Sequence, residues 1–420
     1  MPRTRRSLAP SLILIVAIFV LAAGYFVWRT LNPNRLGPPS AAVPATLVPV
    51  RFADLPGWQG ADPRNALAAF LRSCDALTKK PADERLGSNG YAGRAGDWQA
   101  VCKQVPRQVA NAEAARAFFE FRFAPVEVKR GDDMPALFTG YYEPELSASR
   151  KKQGPYTAPI YGLPDNLVSA ELGAFRPEWE GERLYGCVDG HRLLPCPTRA
   201  DIDAHGLSNA PVLAYADDPV AVFFLHIQGS GRVKLDDGQM LRIAYAGQNG
   251  RKYTPIGRVL LQRGLLDRAS LSMQAIRAWM KAHADEAQAL METDQSYVFF
   301  REQPIGDAKL GSPGSEAVPL TPGASLAVDQ HIHALGTPVY VAAMRPDANP
   351  KRPERSFAQL LVAQDAGGAI RGPARGDVFW GFGLDAESIA GRMKAEGRMF
   401  VLLPRAVAAR LHGPTTLRVS

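Results

Sequence analysis

Two carboxylates, Asp365 and Asp377, close the ends of a thirteen-residue stretch that also holds four glycines and two arginines, with Phe379 and Trp380 directly after it. Glycine admits φ > 0 and lets a ligand approach the backbone. Loops carried on a rigid scaffold are where binding and catalysis concentrate. A tight turn flanked by two solvated aspartates fits the same residues. A third aspartate, Asp329, also falls at the end of a predicted strand. Carboxylates beside aromatic rings and amides suit the breaking of glycosidic bonds: an acid protonates the leaving oxygen, and flat apolar faces support sugar rings. Two carboxylates brought together push one pKa up, so that one stays protonated near neutrality and donates. Nothing local shows that these aspartates meet, and the residues alone reach only a carbohydrate-active enzyme.

Other chemistries lack their signatures. The chain has no GxSxG, HExxH, GxxxxGK[ST] or GxGxxG motif and no CxxC pair. His331 and His333 share a face as metal ligands would, but no third ligand stands near them. Nothing in the sequence asks for a cofactor or a metal.

The elements that position the aspartates read as mainly β with some α. Asp62-Pro63 starts a helix in which Leu67, Phe70, Leu71 and Cys74 share the core face, and a second helix is expected near Ala112 to Phe123. Ala136 to Tyr142 reads as a strand. Val220 to Gln228 reads as another, on its valine, phenylalanine and isoleucine content, followed by a hairpin from Gly229 and a strand over Leu241 to Tyr245. A helix capped at Thr254-Pro255 stops at Gly264, and one long helix is expected at about 271–292. Strands follow at Tyr297–Phe300, Leu326–Val328, Val339–Ala343, Ala358–Ala363 and Met399–Leu403, with a short helix capped by Asp385 before the last.

The 420 residues suggest two domains, and 46% apolar with 21% charged content is ordinary for a globular protein. The net charge of +8 owes five arginines to the first 36 residues, which hold no acid, so the body carries a mild +3 and gives no sign of nucleic-acid binding. Ser11 to Trp28 is an uncharged apolar run of eighteen residues behind three arginines, long enough to span a bilayer with Met1 in the cytoplasm. A cleaved signal peptide is the competing reading. An even count of four cysteines in an exported chain suggests the local pairs Cys74–Cys102 and Cys187–Cys196, with four independent buried thiols as the alternative.

Seven stretches in order then become recognisable: Phe138 to Pro144 (FTGYYEP), Val222 to Arg232, Tyr245 to Gly250 with Tyr253 to Gly257, Gln295 to Phe300, Gly314 to Leu320, Ser325 to Asp329, and Gln364 to Gly383. Through them the chain, over about 50–405, resembles the membrane-bound lytic transglycosylase A family of peptidoglycan-cleaving enzymes. The resemblance implies a double-psi β-barrel from residues 50–140 plus 300–405, a second β-rich domain at 141–299 inserted into it, and a substrate groove between the two. An N-terminal membrane segment at 1–36, a linker at 37–49 and a tail at 406–420 complete the expected organisation. The family's three aspartates match Asp329, Asp365 and Asp377, and Asp377 matches its catalytic acid. By this resemblance Asp377 protonates the oxygen between N-acetylmuramic acid and N-acetylglucosamine. It then takes the proton from the muramic acid's own 6-hydroxyl as that oxygen attacks C1, leaving a 1,6-anhydro end. Asp365 and Asp329 support it, or bond to the glycine-rich turns for structure alone. Thr139, Tyr141, Tyr142 and Gln228 are candidates for the groove wall, and Glu143 and Glu145 stand as reserve acids.

The expected partners are peptidoglycan strands, the inner membrane through the N-terminal helix with the body in the periplasm, and other cell-wall enzymes. The best-known family members carry a lipid-attachment cysteine where this chain is expected to have a membrane helix. A glycan-binding or scaffold protein that does not cleave, and a muramidase that uses water, remain as alternative readings.

Overall fold

A computed structural model describes residues 45–417, except 88, 132–133, 177–178, 180–182 and 412. The apolar run Ser11–Trp28 lies outside the described residues, and among those described no helix is long and apolar enough to cross a membrane.

The strands are β1 (Ala45–Pro49), β2 (Phe123–Arg130), β3 (Ala136–Glu143), β4 (Glu145–Ser149), β5 (Ala158–Tyr161) and β6 (Leu167–Glu171). They continue as β7 (Arg183–Asp189), β8 (Arg192–Leu194), β9 (Val212–Ala216), β10 (Ser230–Leu235), β11 (Met240–Gln248) and β12 (Val298–Gln303). The last six are β13 (Ser325–Val328), β14 (Pro338–Arg345), β15 (Arg355–Ala366), β16 (Arg375–Phe382), β17 (Lys394–Pro404) and β18 (Thr415–Leu417).

Six of them close a ring. The order β14-β15-β13-β16-β3-β17 returns to β14, with β15–β13 and β16–β3 parallel and the other pairs antiparallel. Closure removes the free edges that a strand would otherwise expose. The expected mainly β fold with a closed barrel is therefore present. Its packed inner face is apolar: Phe138, Leu326, Val328 and Val378 are all 0% exposed. Strand alternation then sends the residues between them, Thr139, Ala327 and Asp377, to the outer face.

Between β3 and β13 the chain builds a second sheet, ordered β12-β11-β10-β4-β9-β5, and a small β6-β7-β8 sheet. The expected linker, 37–49, falls outside the described residues up to residue 44. Residues 45–49 are β1, paired with β2 and β18, because Ala45 and Leu47 alternate into the core.

Two expected elements differ. Val220 to Gln228 is not a strand but most of the helix Pro219–Gln228. Asp218 accepts from Val220 N at 2.8 Å, proline takes the first helical position, and Gly229 ends the helix at φ 77°. These caps outweigh strand propensity. The helix is apolar all round because it lies between two clusters, Val222 and Leu225 facing one, Phe223 and Phe224 the other. The single helix expected at 271–292 is two, Met273–Ala282 and Ala284–Met291, broken at His283 with φ −128° and ψ 59°.

Both cysteine pairs are disulfides, Cys74–Cys102 and Cys187–Cys196. The first ties the helix Arg64–Leu77 to the helix Ala95–Cys102 across 28 residues. Chain-entropy arithmetic for such a loop gives about 3–4 kcal/mol. Replacing both Cys74 and Cys102 by alanine should lower stability by that order, read as a lower urea midpoint with a steeper slope, because the uncrosslinked unfolded chain exposes more surface.

Candidate active site

The register of the barrel brings two aspartates to one row. Ala327 of β13 is paired with Asp365 of β15 on one side and with Asp377 of β16 on the other. Register partners point to the same face, so both carboxylates leave the barrel outward, two strand spacings or about 10 Å apart at Cα. Thr139 of β3 pairs with Asp377, and Lys394 of β17 pairs with Thr139. The row thus reads Asp365, Ala327, Asp377, Thr139, Lys394. The glycine-rich stretch is therefore not one loop. Both aspartates sit in strands, and only residues 367–374 connect them.

Asp377 has one oxygen engaged and one free. Oδ1 accepts from Thr139 Oγ1 at 2.5 Å. Oδ2 accepts no hydrogen bond from a described group, and the residue is only partly buried. Protein packed around the carboxyl desolvates it and pushes its pKa above the ordinary carboxylate range. The Arg375 guanidinium and the Thr139 bond pull the other way, and Asp365 adds to the rise. Arg375, two residues back on the same face, donates from Nη2 to Thr139 Oγ1 at 2.7 Å and so turns the hydroxyl proton toward Asp377.

Asp365 is fully engaged instead. Its Oδ2 accepts from Tyr141 OH at 2.7 Å, and its Oδ1 accepts from Ser315 N, Ser315 Oγ and Ala366 N, each at 2.9 Å. Four donors make it a fixed acceptor rather than a proton donor. Burial and the neighbouring carboxylates, Asp365 first, hold the Tyr141 phenol well above its usual range, so it remains a donor. Gly314 lets the segment before Ser315 cross this closely, since a Cβ there would lie 2.5 Å from Gln364 O.

Asp329 does not join the row. It is buried just past β13, where its carboxylate accepts from His331 N at 3.2 Å and Gly372 N at 2.8 Å, with the exposed Arg371 at 3.7 Å. It anchors the 367–374 connection. His333 does the same from beside it and is no metal ligand, because both ring nitrogens are engaged. Nε2–H donates to Pro373 O, which leaves Nδ1 to accept from Tyr91 OH, each at 2.6 Å.

Thr139 and Tyr141 meet the row, but Tyr142 and Gln228 do not. Alternation turns Tyr142 to the opposite face of β3, where it is 2% exposed and packs against Ala386 and Ala390 of the helix Gly383–Ala390. Gln228 Oε1 accepts from Tyr142 N at 3.0 Å and joins helix to strand. Of the aromatic pair, Phe379 is buried against Tyr141 with ring centroids 5.2 Å apart, and Trp380 packs on Phe357. Glu143 is a buried ion-pair partner of Arg232 and Arg242, and Glu145 is exposed. Arg375, Ser315 and Lys394 are site residues that sequence reasoning missed. Arg375 alone had a readable signal, the period-2 spacing to Asp377.

A cleft of about 740 Å³ lined by Val101, Phe121, Arg122 and Arg405 lies on other elements. Its acids are committed: Asp97 to Arg410, and Glu120 to Trp58 Nε1. It offers no free acid for the chemistry of the row.

Comparison with known proteins bears directly on this geometry. Residues 137–301 match the MltA specific insert domain and residues 324–403 match the 3D domain. A crystal structure of a membrane-bound lytic murein transglycosylase from Agrobacterium tumefaciens is 35% identical, with a TM-score of 0.76, and the similarity covers 87% of this chain and 99% of that one. The chain belongs to the family of membrane-bound lytic murein transglycosylases A. The family's Escherichia coli member is 36% identical over 267 residues, a match that spans 63% of this chain and 65% of that protein's length. A crystal structure of E. coli MltA with bound chitohexaose superposes with a TM-score of 0.61 at 28% identity, over 88% of this chain and 93% of the other. In the present chain Asp365 of β15, Asp377 of β16 and Ala327 of β13 between them all lie within the segment that matches the 3D domain.

Proposed function

We propose that this chain is a lytic transglycosylase of peptidoglycan. It cleaves the β-1,4 bond between N-acetylmuramic acid and N-acetylglucosamine and leaves a 1,6-anhydromuramic acid end, with Asp377 as its one acid and base. The observation that carries this reading is the state of Asp377: a partly buried, desolvated carboxyl with a raised pKa and only one of its two oxygens hydrogen-bonded to a described group. Protonated, it gives its proton to the glycosidic oxygen as the bond to C1 breaks. Ionised, it takes the proton of the 6-hydroxyl as that oxygen bonds to C1. Asp365, with four donors on it, is poorly placed to activate a water and well placed to lend negative charge to a cationic transition state. Asp329 supports by holding the connection into β16.

The family names support the same substrate, and the bound chitohexaose of the E. coli relative supports β-1,4-linked amino sugars as the ligand class. The membrane segment Ser11–Trp28 would place the body in the periplasm at the inner membrane, within reach of peptidoglycan and of other cell-wall enzymes.

Digestion of purified peptidoglycan by the full chain, with mass spectrometry of the products, tests the proposal. Muramic ends lighter by one water, absent with Asp377→Asn, are expected. Ends of full mass would make the chain a muramidase, and retained binding without products would make it a glycan-binding protein.

Arg375 gives a separate prediction. Its charge opposes the rise at Asp377, so Arg375→Met should raise that pKa further. The acid must be protonated to donate, so activity falls as pH rises through its pKa. The alkaline limb of kcat/KM should therefore move to higher pH in the variant, and a shift to lower pH would refute the assignment.

A further inference from the structure

A chain of buried polar side chains runs behind the aspartate row. Ser73, Gln364 and Ser325 are each 0% exposed. Gln364 Nε2 donates to Ser73 Oγ and to Ala69 O, both at 2.9 Å, and its Oε1 accepts from Ser325 Oγ at 2.6 Å. Ser73 Oγ in turn donates to Glu316 Oε2 at 2.6 Å. Two members of this chain adjoin the site. Gln364 precedes Asp365, and Glu316 follows Ser315, whose N–H and hydroxyl hold Asp365 Oδ1. Glu316 N–H also donates to Gln364 O at 3.0 Å, so segment 311–320 lies along the end of β15 like a strap. The helix Arg64–Leu77 backs both, and the disulfide at Cys74 fixes it one residue from Ser73. Neither Ser73 nor Glu316 falls within 137–301 or 324–403, the segments that match the family domains.

We propose that Ser73 is a positioning residue for the site: through Glu316 and Gln364 it holds the 311–320 strap against β15 and so fixes Asp365 in its Ser315 cradle beside Asp377. This rests on reading Asp377 and Asp365 as the working carboxylates. A buried hydroxyl that both donates and accepts cannot be removed quietly. Without it Glu316 Oε2 loses its partner, and Gln364 keeps one of its two donor contacts.

Glu316 adds a pH signature. Burial pushes its carboxyl up to about 7, while the Ser73 bond and the Lys80 charge act against the rise. Leu77 and Gly336 supply the apolar side of its seat. The protonated form suits that seat, so the fold is favoured below the unfolded value of 4.5 and loses that advantage as pH rises through about 7.

The test uses the full chain with Ser73→Ala, Glu316→Leu and Glu316→Gln. Ser73→Ala and Glu316→Leu should each lower kcat on peptidoglycan by about tenfold, with KM nearly unchanged, because a small misplacement of a working group is felt in kcat. Hydrogen exchange at the Ser315 amide should speed up in both. Glu316→Gln keeps an acceptor for Ser73, so it should retain kcat and lose the pH step near 7. Wild-type kcat and wild-type Ser315 exchange in Ser73→Ala and Glu316→Leu would overturn the proposal. So would a loss of kcat that only follows the loss of folded protein. If wild type yields no anhydro ends, the functional reading fails on its own, and the Ser315 exchange still decides whether Ser73 holds the strap.

Discussion

Asp377→Asn should slow the formation of anhydro ends by about 10²–10⁴-fold, the usual worth of a positioned acid–base group, while leaving the fold no less stable at pH 7. The second half of this expectation follows from the first. Asp377 has a raised pKa because burial penalises its charged form. A carboxyl whose folded pKa lies above its unfolded value favours the folded state below that unfolded value of 3.8 and loses this advantage as pH rises through the folded pKa. At neutral pH the buried charge is a cost, and asparagine removes it while still accepting from Thr139. Thermal melts of both proteins should therefore show the variant equal or higher at pH 7, with the gap closing toward pH 3. A variant that melts lower at pH 7 would mean that Asp377 is a structural ion-pair partner rather than an acid held ready for a substrate.

Glu143→Ala should be the most damaging single change to stability, at about 3–5 kcal/mol, the cost of leaving buried charge uncompensated. Glu143 ends β3 of the barrel and is fully buried. Arg232 Nε of β10 lies 3.2 Å away, Arg242 Nε of β11 lies 3.6 Å away, and Ser312 N donates to it at 2.6 Å. The two guanidiniums also donate to backbone oxygens of residues 308–310, so one carboxylate joins the barrel, the second sheet and the segment between them. Glu143→Gln should cost less, because its amide oxygen still accepts from Ser312 N. Replacing Glu143, Arg232 and Arg242 together by apolar residues of similar volume should recover much of the loss. Urea titration measures all three. A loss under about 1 kcal/mol for Glu143→Ala would show that water reaches the arginines.

Much of this fold was legible along the chain, and the exceptions have physical causes. The strands at Leu326–Val328, Val339–Ala343 and Met399–Leu403 were readable because each is a short apolar run bounded by turns, which is how a strand buried on both faces looks. Val220 to Gln228 misled for the same reason: a helix buried on every side shows no amphipathic period, and only the caps Asp218-Pro219 and Gly229 distinguish it. Asp365 and Asp377 were singled out by glycine content and by family resemblance. Their common row depends on Ala327 pairing with both, a register set by closure of the barrel between segments far apart in the chain. The separation of Tyr141 from Tyr142 was available in principle, since neighbours in a strand face opposite ways. The Glu143 cluster and the Ser73 chain were not, because their members come together only in the folded protein.

The most direct test of the account is digestion of peptidoglycan by the full chain in ¹⁸O-labelled water, with the isotope content of each new muramic end read by mass spectrometry. Attack by the 6-hydroxyl takes no oxygen from solvent, so unlabelled ends lighter by one water are predicted at every stage of the reaction. Ends that carry ¹⁸O from the first turnovers would contradict the account, because the attacking oxygen would then be water and a second group besides Asp377 would have to activate it.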